Sequence, residues 1–320
     1  LQHCSNLYFS VPCAKLAAAL CEKTGMKKVF FGNSGAEANE CAIKAARKYA
    51  ADKYGPERHK IVTLVNSFHG RTIATLTATG QDAMHKDFQP LLPGFLYTPA
   101  NDCEALRKLV SEHDDIAAFM FELVQGEGGV MPLEPNFVDC MAELAKEKDI
   151  LLVCDEVQTG NGRTGSLYAW MQYGFMLDIM TTAKGLGGGL PIGACLFGEK
   201  TENVLTPGTH GSTFGGSPAV CAGALSILGR IDEALLAQVR AKSEYLFSAF
   251  EGKPGIEQVS GLGLMIGLKT AKPAAEVVAK CMEQGVLVLT AHGKVRLLPA
   301  LNIPMELVKK AAEVIIAACA

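Results

Sequence analysis

Six short apolar runs, at about residues 28–31, 61–65, 116–121, 150–154, 178–183 and 192–197, are separated by segments of helical character that include 11–24 and 36–51. Runs of this length without polar alternation fit strands buried on both faces. Strands that alternate with helices build a parallel sheet through crossover connections. The pattern therefore predicts an α/β fold with a largely parallel sheet in a large domain. Gly215-Gly216-Ser217-Pro218 opens an Ala-rich helical region that runs to about Phe250, and the pattern changes after Lys253-Pro254-Gly255. Strands over 256–268 and helices over 274–284 and 305–319 then predict a smaller C-terminal α+β domain. We place the division so that 1–235 form the large domain and 236–320 the small one; 320 residues suffice for both.

Two of the apolar runs end in groups that carry chemistry. Asp178-Ile-Met-Thr-Thr-Ala-Lys184 closes on a lysine and leads into the turn Gly185-Leu-Gly187-Gly188-Gly189-Leu-Pro191. A lysine there is expected to lose hydration, which favours the neutral amine and makes Lys184 a nucleophile for an aldehyde. The run Ile150-Leu-Leu-Val-Cys154 ends in Asp155, which places a carboxylate at the carboxyl end of a buried parallel strand, the edge where open α/β sheets bind ligands. A lysine that can condense with an aldehyde and an aspartate that can keep a pyridine nitrogen protonated are the two groups that pyridoxal 5'-phosphate requires of a protein. Taken singly, each has a plainer use, Lys184 as a strand-end lysine reaching water and Asp155 as a helix cap.

A phosphate site is the third requirement. Val29-Phe-Phe31 followed by Gly32-Asn33-Ser34-Gly35-Ala36-Glu37 reads as a strand, a tight turn and a helix start, with Ser34 and Glu37 spaced as a capping box. The free N–H groups and positive dipole end of such a helix suit an anion at Gly35 and Ala36.

Other features exclude function classes. The net charge is −3 and no basic block or zinc-like cysteine pairing occurs, so nucleic acid is not indicated. No apolar run approaches the ~20 residues of a membrane span. The cysteines number 11, without a Cys-x-x-Cys, and several such as Cys154 and Cys195 lie inside apolar runs, which fits a reducing cytoplasmic compartment. No signal-peptide pattern is present, and the chain begins in mid-pattern at Leu1, so a preceding segment is expected. Gly261-Leu-Gly263-Leu-Met-Ile-Gly267 has dinucleotide-like glycine spacing, but 264–268 reads as strand rather than helix, which predicts a bulged or twisted strand instead.

Taken together, Asn33-Ser-Gly-Ala-Glu-Ala-Asn39, Ser67-Phe-His-Gly-Arg-Thr72, Gln125-Gly-Glu-Gly-Gly129, Asp155-Glu-Val-Gln-Thr-Gly-Asn-Gly-Arg-Thr-Gly165, Thr182-Ala-Lys-Gly-Leu-Gly-Gly-Gly189 and His210-Gly-Ser-Thr-Phe-Gly-Gly216 resemble the class III pyridoxal-phosphate aminotransferases over essentially the whole chain. Asn161-Gly162 with Phe68-His69 favours the branch that acts on acetylornithine. The resemblance implies fold type I of the pyridoxal-phosphate transferases and amino transfer from N-acetylornithine to 2-oxoglutarate, returning glutamate. It implies a homodimer with a shared site, and no nucleic-acid or membrane partner. Within the family, succinylornithine, succinyl-diaminopimelate, ornithine and 4-aminobutyrate are alternative donors; a cofactor-binding but inactive structural chain is the alternative of another class.

The resemblance also implies residue roles. Lys184 holds the cofactor and moves a proton, and Asp155 sustains the electron sink. Phe68 and Val157 flank the ring, Gln158 reaches the phenolic oxygen, and Ser34, Gly35 and Ala36 form the phosphate cradle, completed by Thr213 of the second subunit. Arg71 and Ser212 contact the substrate, and Arg296 takes its α-carboxylate with Glu127 as its acidic partner. For Phe68 and Val157 core packing competes with these roles, and for Glu127 and Arg296 a structural ion pair does. Ala36 stands where many relatives carry threonine, and Leu123 replaces a frequent proline between Glu122 and Gln125.

Overall fold

The computed structural model of the protein describes residues 3–320. Along the chain it forms α1 (Val11–Thr24), β1 (Lys28–Gly32), α2 (Gly35–Tyr54), β2 (Lys60–Leu64), α3 (Ile73–Ala78), α4 (Asp82–His85), β3 (Phe95–Thr98), α5 (Cys103–Glu112) and β4 (Ile116–Phe121). Next come β5 (Val124–Gln125), β6 (Met131–Pro132), α6 (Pro135–Lys148), β7 (Leu151–Asp155), β8 (Ile179–Thr182), β9 (Gly193–Phe197) and α7 (Pro218–Leu228). The C-terminal part holds α8 (Glu233–Phe250), β10 (Ile256–Leu262), β11 (Met265–Thr270), α9 (Ala274–Glu283), β12 (Leu289–Ala291), β13 (Lys294–Leu297) and α10 (Met305–Cys319).

The first of two compact units comprises residues up to 123, 133–158 and 173–230. Its sheet has the order β1-β9-β8-β7-β4-β2-β3, and only β9 runs against its neighbours. The apolar runs predict six of these seven strands because β4, β7, β8 and β9 are buried at every position. The seventh, β3, lies at the sheet's edge with a partly exposed Phe-Leu-Tyr-Thr sequence, and so lacks the apolar signature. Helix α2 lies on the sheet through small residues, Ala38, Cys41, Ala42, Ala45 and Ala46, all buried; short side chains let its axis approach the strands closely.

The second unit comprises 124–132, 159–172 and 231–320. Its antiparallel sheet, β10-β11-β13-β12, packs with α8, α9 and α10 around Phe250, Ile266, Leu268, Val277, Val295 and Ile315. A single division at 235 does not describe this arrangement. The separation falls after Arg230, and two earlier segments join the second unit through contacts remote in sequence. Arg163 donates to the carbonyls of Pro299 (2.5 Å) and Leu264 (3.3 Å) and accepts from Leu264 N–H through its own carbonyl (2.9 Å), while Val124 and Val130 pack with Met265. Gly263, with φ of +60°, forms the tight turn between β10 and β11 together with Leu264, whereas Gly261 lies within β10 opposite Ile266 with an irregular φ of +129°, and a register shift lies earlier in the strand, between Ile256 and Gln258.

One close approach in the first unit ties the sheet to the start of α2. A Cβ on Gly193, the first residue of β9, would lie 2.0 Å from the carbonyl oxygen of Ser34, which is backbone and cannot swing aside. Gly193→Ala is expected to destabilise the protein by about 1–3 kcal/mol and displace the helix start, as read by a lower urea midpoint together with weaker cofactor retention.

Candidate active site

Because six strands of the large sheet are parallel, the segments that follow them emerge at one edge. Beyond β1 come Ser34, Gly35 and Ala36, beyond β2 Phe68 to Arg71, and beyond β4 Glu122. Beyond β7 come Val157 and Gln158, and beyond β8 Lys184. Asp155 is the last residue of β7 and pairs in register with Thr181 of β8, three residues before Lys184.

Ser34 caps α2, its hydroxyl accepting from the N–H of Glu37 at 3.2 Å. The expected capping box is half formed, because the Glu37 carboxylate turns to the N–H and side-chain amide of Asn33 (2.9 and 2.8 Å) instead of returning to Ser34. That leaves the N–H groups of Gly35 and Ala36 at the positive end of a helix of 20 residues, with no acceptor among the described residues. Val157 packs against this turn so closely that a Cβ on Gly35 would lie 2.8 Å from its Cγ1.

Lys184 is exposed, contrary to the expected loss of hydration. The strand ends at Thr182, and the lysine already stands outside the sheet at the start of a 3₁₀ turn, Lys184–Gly187. Its φ of +46° is a left-handed conformation that costs an L-residue roughly 1–2 kcal/mol, a strain of the kind concentrated at functional sites.

Asp155 is 4% exposed, and its charge is met on both oxygens. Oδ2 accepts from Asn39 Nδ2 (2.7 Å) and His69 Nδ1 (2.8 Å), and Oδ1 accepts from the N–H of Val157 (3.0 Å). His69 Nε2 and Gln158 Oε1 are buried polar atoms without a hydrogen-bond partner. Phe68 is half-buried, with its N–H donating to Glu122 Oε2 at 2.9 Å, and the guanidinium of Arg71 lies 5.8 Å from the centre of its ring. Arg71 is exposed and makes no ion pair among the described residues. The hydroxyl of Ser212 accepts from Asn33 Nδ2 (3.0 Å) and from the N–H of Gly215 (3.1 Å), which fastens the 208–217 loop beside the start of α2; Thr213 is exposed.

Glu127 and Arg296 belong to the second unit and form an ion pair of 2.6 Å, with Arg296 also donating to the carbonyl of Gly126 (3.3 Å). Arg296 is 8% exposed, and its Nε has no partner.

Three residues carry part of this site without having been assigned a role from the sequence. Glu122 ends an apolar run as Asp155 does, which is the signal that could have found it. Asn39 is polar on the buried face of α2, in step with Ala42, Ile43 and Ala46 at helical spacing. His69 gives no signal apart from its burial. Burial, and then the nearby Asp155 carboxylate, push the Glu122 carboxyl up to about 7, against the opposing influence of His69, the Phe68 N–H and Lys184. The protonated form is thus favoured by folding. That contribution is complete below about pH 4.5, the ordinary range of the group, and is lost as pH rises through about 7. Glu122→Gln, which keeps an acceptor for Phe68 N–H, should flatten the decline in stability between about pH 5 and 8 by on the order of 1–2 kcal/mol, measured by denaturant titration at each pH.

The donor set fits pyridoxal phosphate: two free helix N–H groups, an accessible amine and a buried carboxylate held by protein donors share one sheet edge. Comparison with known proteins points the same way. The family described as Aminotransferase class-III matches residues 1–319. An acetylornithine aminotransferase of Haemophilus ducreyi is 48% identical over 317 residues, 98% of this chain and 80% of that protein; one from Methanocaldococcus jannaschii is 44% identical, over 96% and 78%. Among solved structures, the ornithine aminotransferase of Toxoplasma gondii superposes with a TM-score of 0.93 at 32% identity, covering 100% of this chain and 79% of that one. The N-acetylornithine aminotransferase of Stenotrophomonas maltophilia superposes with 0.85 at 35%, covering 99% and 81%.

Proposed function

Because the chain belongs to the class-III aminotransferase family, we propose that it transfers the amino group of N-acetylornithine to 2-oxoglutarate with pyridoxal 5'-phosphate as cofactor, a step of arginine biosynthesis. The observation that carries this reading is the gathering of Lys184, Asp155 and the free N–H groups of Gly35 and Ala36 at the carboxyl edge of one parallel sheet. Bound there, the cofactor supplies an electron sink for the carbon that bears the substrate's amino group.

In this reading Gly35 and Ala36 bind the phosphate through their N–H groups, with Ser34 holding the helix start in place. Asp155 holds a proton on the ring nitrogen. Phe68 and Val157 flank the ring, and Gln158 orients its phenolic oxygen. Lys184 would hold the cofactor by condensing its Nζ with the aldehyde, with loss of water, and would move a proton at the reacting carbon, roles for which an exposed amine is suited. Arg71 offers a planar fork to a substrate carboxylate, and Ser212 is proposed as a further substrate contact. Arg296 takes the α-carboxylate, and Glu127 satisfies the arginine when no carboxylate is bound. The exposed Thr213 suits donation of its hydroxyl to the phosphate of a second copy, so a homodimer is part of the proposal. A reducing cytoplasmic setting is supported by the 11 cysteines, all free thiols. No helix among the described residues is long and apolar enough to cross a membrane.

The test of the whole reading is the visible absorption of the purified protein with cofactor, followed by addition of amino donors one at a time. Bleaching by N-acetylornithine at lower concentration than by ornithine or 4-aminobutyrate supports the assignment; preferential bleaching by another donor overturns the substrate. Lys184→Ala should retain cofactor but lose nearly all transamination, and borohydride reduction of the unaltered protein should fix the cofactor on the peptide that contains Lys184. Arg71→Lys keeps the charge but loses the two-point fork, so kcat/KM for N-acetylornithine should fall at least about tenfold, ~1.4 kcal/mol, with the cofactor spectrum unchanged. Loss of cofactor with normal handling of the donor would instead place Arg71 in the cofactor site.

A further inference from the structure

We propose that Asn39, itself oriented by Thr181, is a positioning residue that fixes the Asp155 carboxylate, so that Oδ2 is filled by protein donors and Oδ1 is the oxygen left for the protonated ring nitrogen. The inference rests on the pyridoxal-phosphate reading above and extends it to side chains that reading does not assign.

Every polar atom of the Asn39 side chain is committed. Nδ2 donates one hydrogen to Asp155 Oδ2 (2.7 Å) and the other to the carbonyl of His69 (2.7 Å), while Oδ1 accepts from Thr181 Oγ1 (2.7 Å). Turning the amide over would set its oxygen against a carboxylate and a carbonyl at once, so the chemistry admits one orientation. Thr181 Oγ1 also lies 3.5 Å from Asp155 Oδ1. A hydroxyl has one hydrogen, and the shorter contact takes it, so Thr181 orients Asn39 and does not occupy Asp155.

Lone-pair accounting then separates the two oxygens of Asp155. Oδ2 receives Asn39 and His69 and is saturated, whereas Oδ1 receives only the N–H of Val157 at short range and keeps a second acceptor direction. The arrangement joins α2, β7, β8 and the segment after β2, and its members are all buried. Asn39 also stands four residues after Gly35 on α2, one turn or about 6 Å along the axis. One rigid helix thus carries the amides for the phosphate and the amide that sets the carboxylate for the ring, which fixes the spacing between the two ends of the cofactor. The other ionisable groups around the carboxylate are His69, Glu122 beyond β4 and Lys184 beyond β8, with Cys154 and Glu156 adjacent in the chain.

The experiment is a pH titration of the ¹⁵N resonance of ring-labelled pyridoxal phosphate bound to the protein and its variants, which reads nitrogen protonation independently of turnover. Asn39→Ala should lower the pH at which the nitrogen loses its proton by at least about one unit, a tenfold loss of proton affinity. Thr181→Val, close in shape but without the hydroxyl, should lower it by a smaller amount, and Thr181→Ser should restore the unaltered profile. An unaltered profile in a folded, cofactor-bound Asn39→Ala overturns the proposal. Should Asn39→Ala fail to fold, Thr181→Val decides, and an unaltered profile there overturns it equally. Asp155→Asn is the control. If it too leaves the profile unaltered, the assignment of Asp155 fails; if it shifts the profile while Asn39→Ala does not, only the role of Asn39 fails.

Discussion

A carboxylate at the end of a strand buried on both faces is the constraint around which the large unit is organised. Leaving such a charge unpaired would cost several kcal/mol, whereas hydrogen bonds to a charged group return about 1.5–3 kcal/mol each. Asp155 collects its donors from three separate places: Asn39 on α2, His69 after β2, and the N–H of Val157 just beyond its own strand. Each donor is therefore fixed by the same requirement, and the elements that bear them cannot shift independently. A second buried carboxyl, Glu122, anchors the backbone of Phe68 beside this cluster.

The phosphate end of the site depends on close approach of backbone. Gly193 lets β9 pass against the carbonyl of Ser34, and Gly35 lets Val157 press on the first turn of α2. At both points a methyl group would occupy space that is already filled. The small residues along the buried face of α2 serve the same end, since they hold the helix near enough to the sheet for Asn39 to reach both Asp155 and Thr181.

In the second unit an arginine plays the organising part twice. Arg163 ties the 159–172 segment to the carbonyls of Leu264 and Pro299, and Arg296 holds the 124–132 hairpin through Gly126 and Glu127. Arginine suits this use because its donors spread in a plane and can satisfy several carbonyls while the charge stays shielded. These contacts draw two early segments of chain into a unit otherwise built from the C-terminal residues.

Much of the fold was legible in the sequence because buried parallel strands leave uninterrupted apolar runs, and six of the seven strands of the large sheet announced themselves in that way. The strand ends located Asp155 and Lys184, and the turn after Phe31 located the start of α2. The edge strand β3 was not legible, since exposure lets its residues be mixed, and neither was the division into units, which depends on contacts such as Arg163 with Pro299, 136 residues apart in sequence. The exposure of Lys184 and the half-formed cap at Ser34 were decided by tertiary structure as well. The first follows from where the strand stops, the second from the competing amide of Asn33. The sequence by itself determined which groups lie at the sheet's functional edge, because that follows from strand order along the chain and side-chain polarity. Only the tertiary structure decided how those groups are held, because the clamp on Asp155 joins Asn39, His69 and Thr181 across up to 142 residues of chain, and no local pattern encodes a contact of that span.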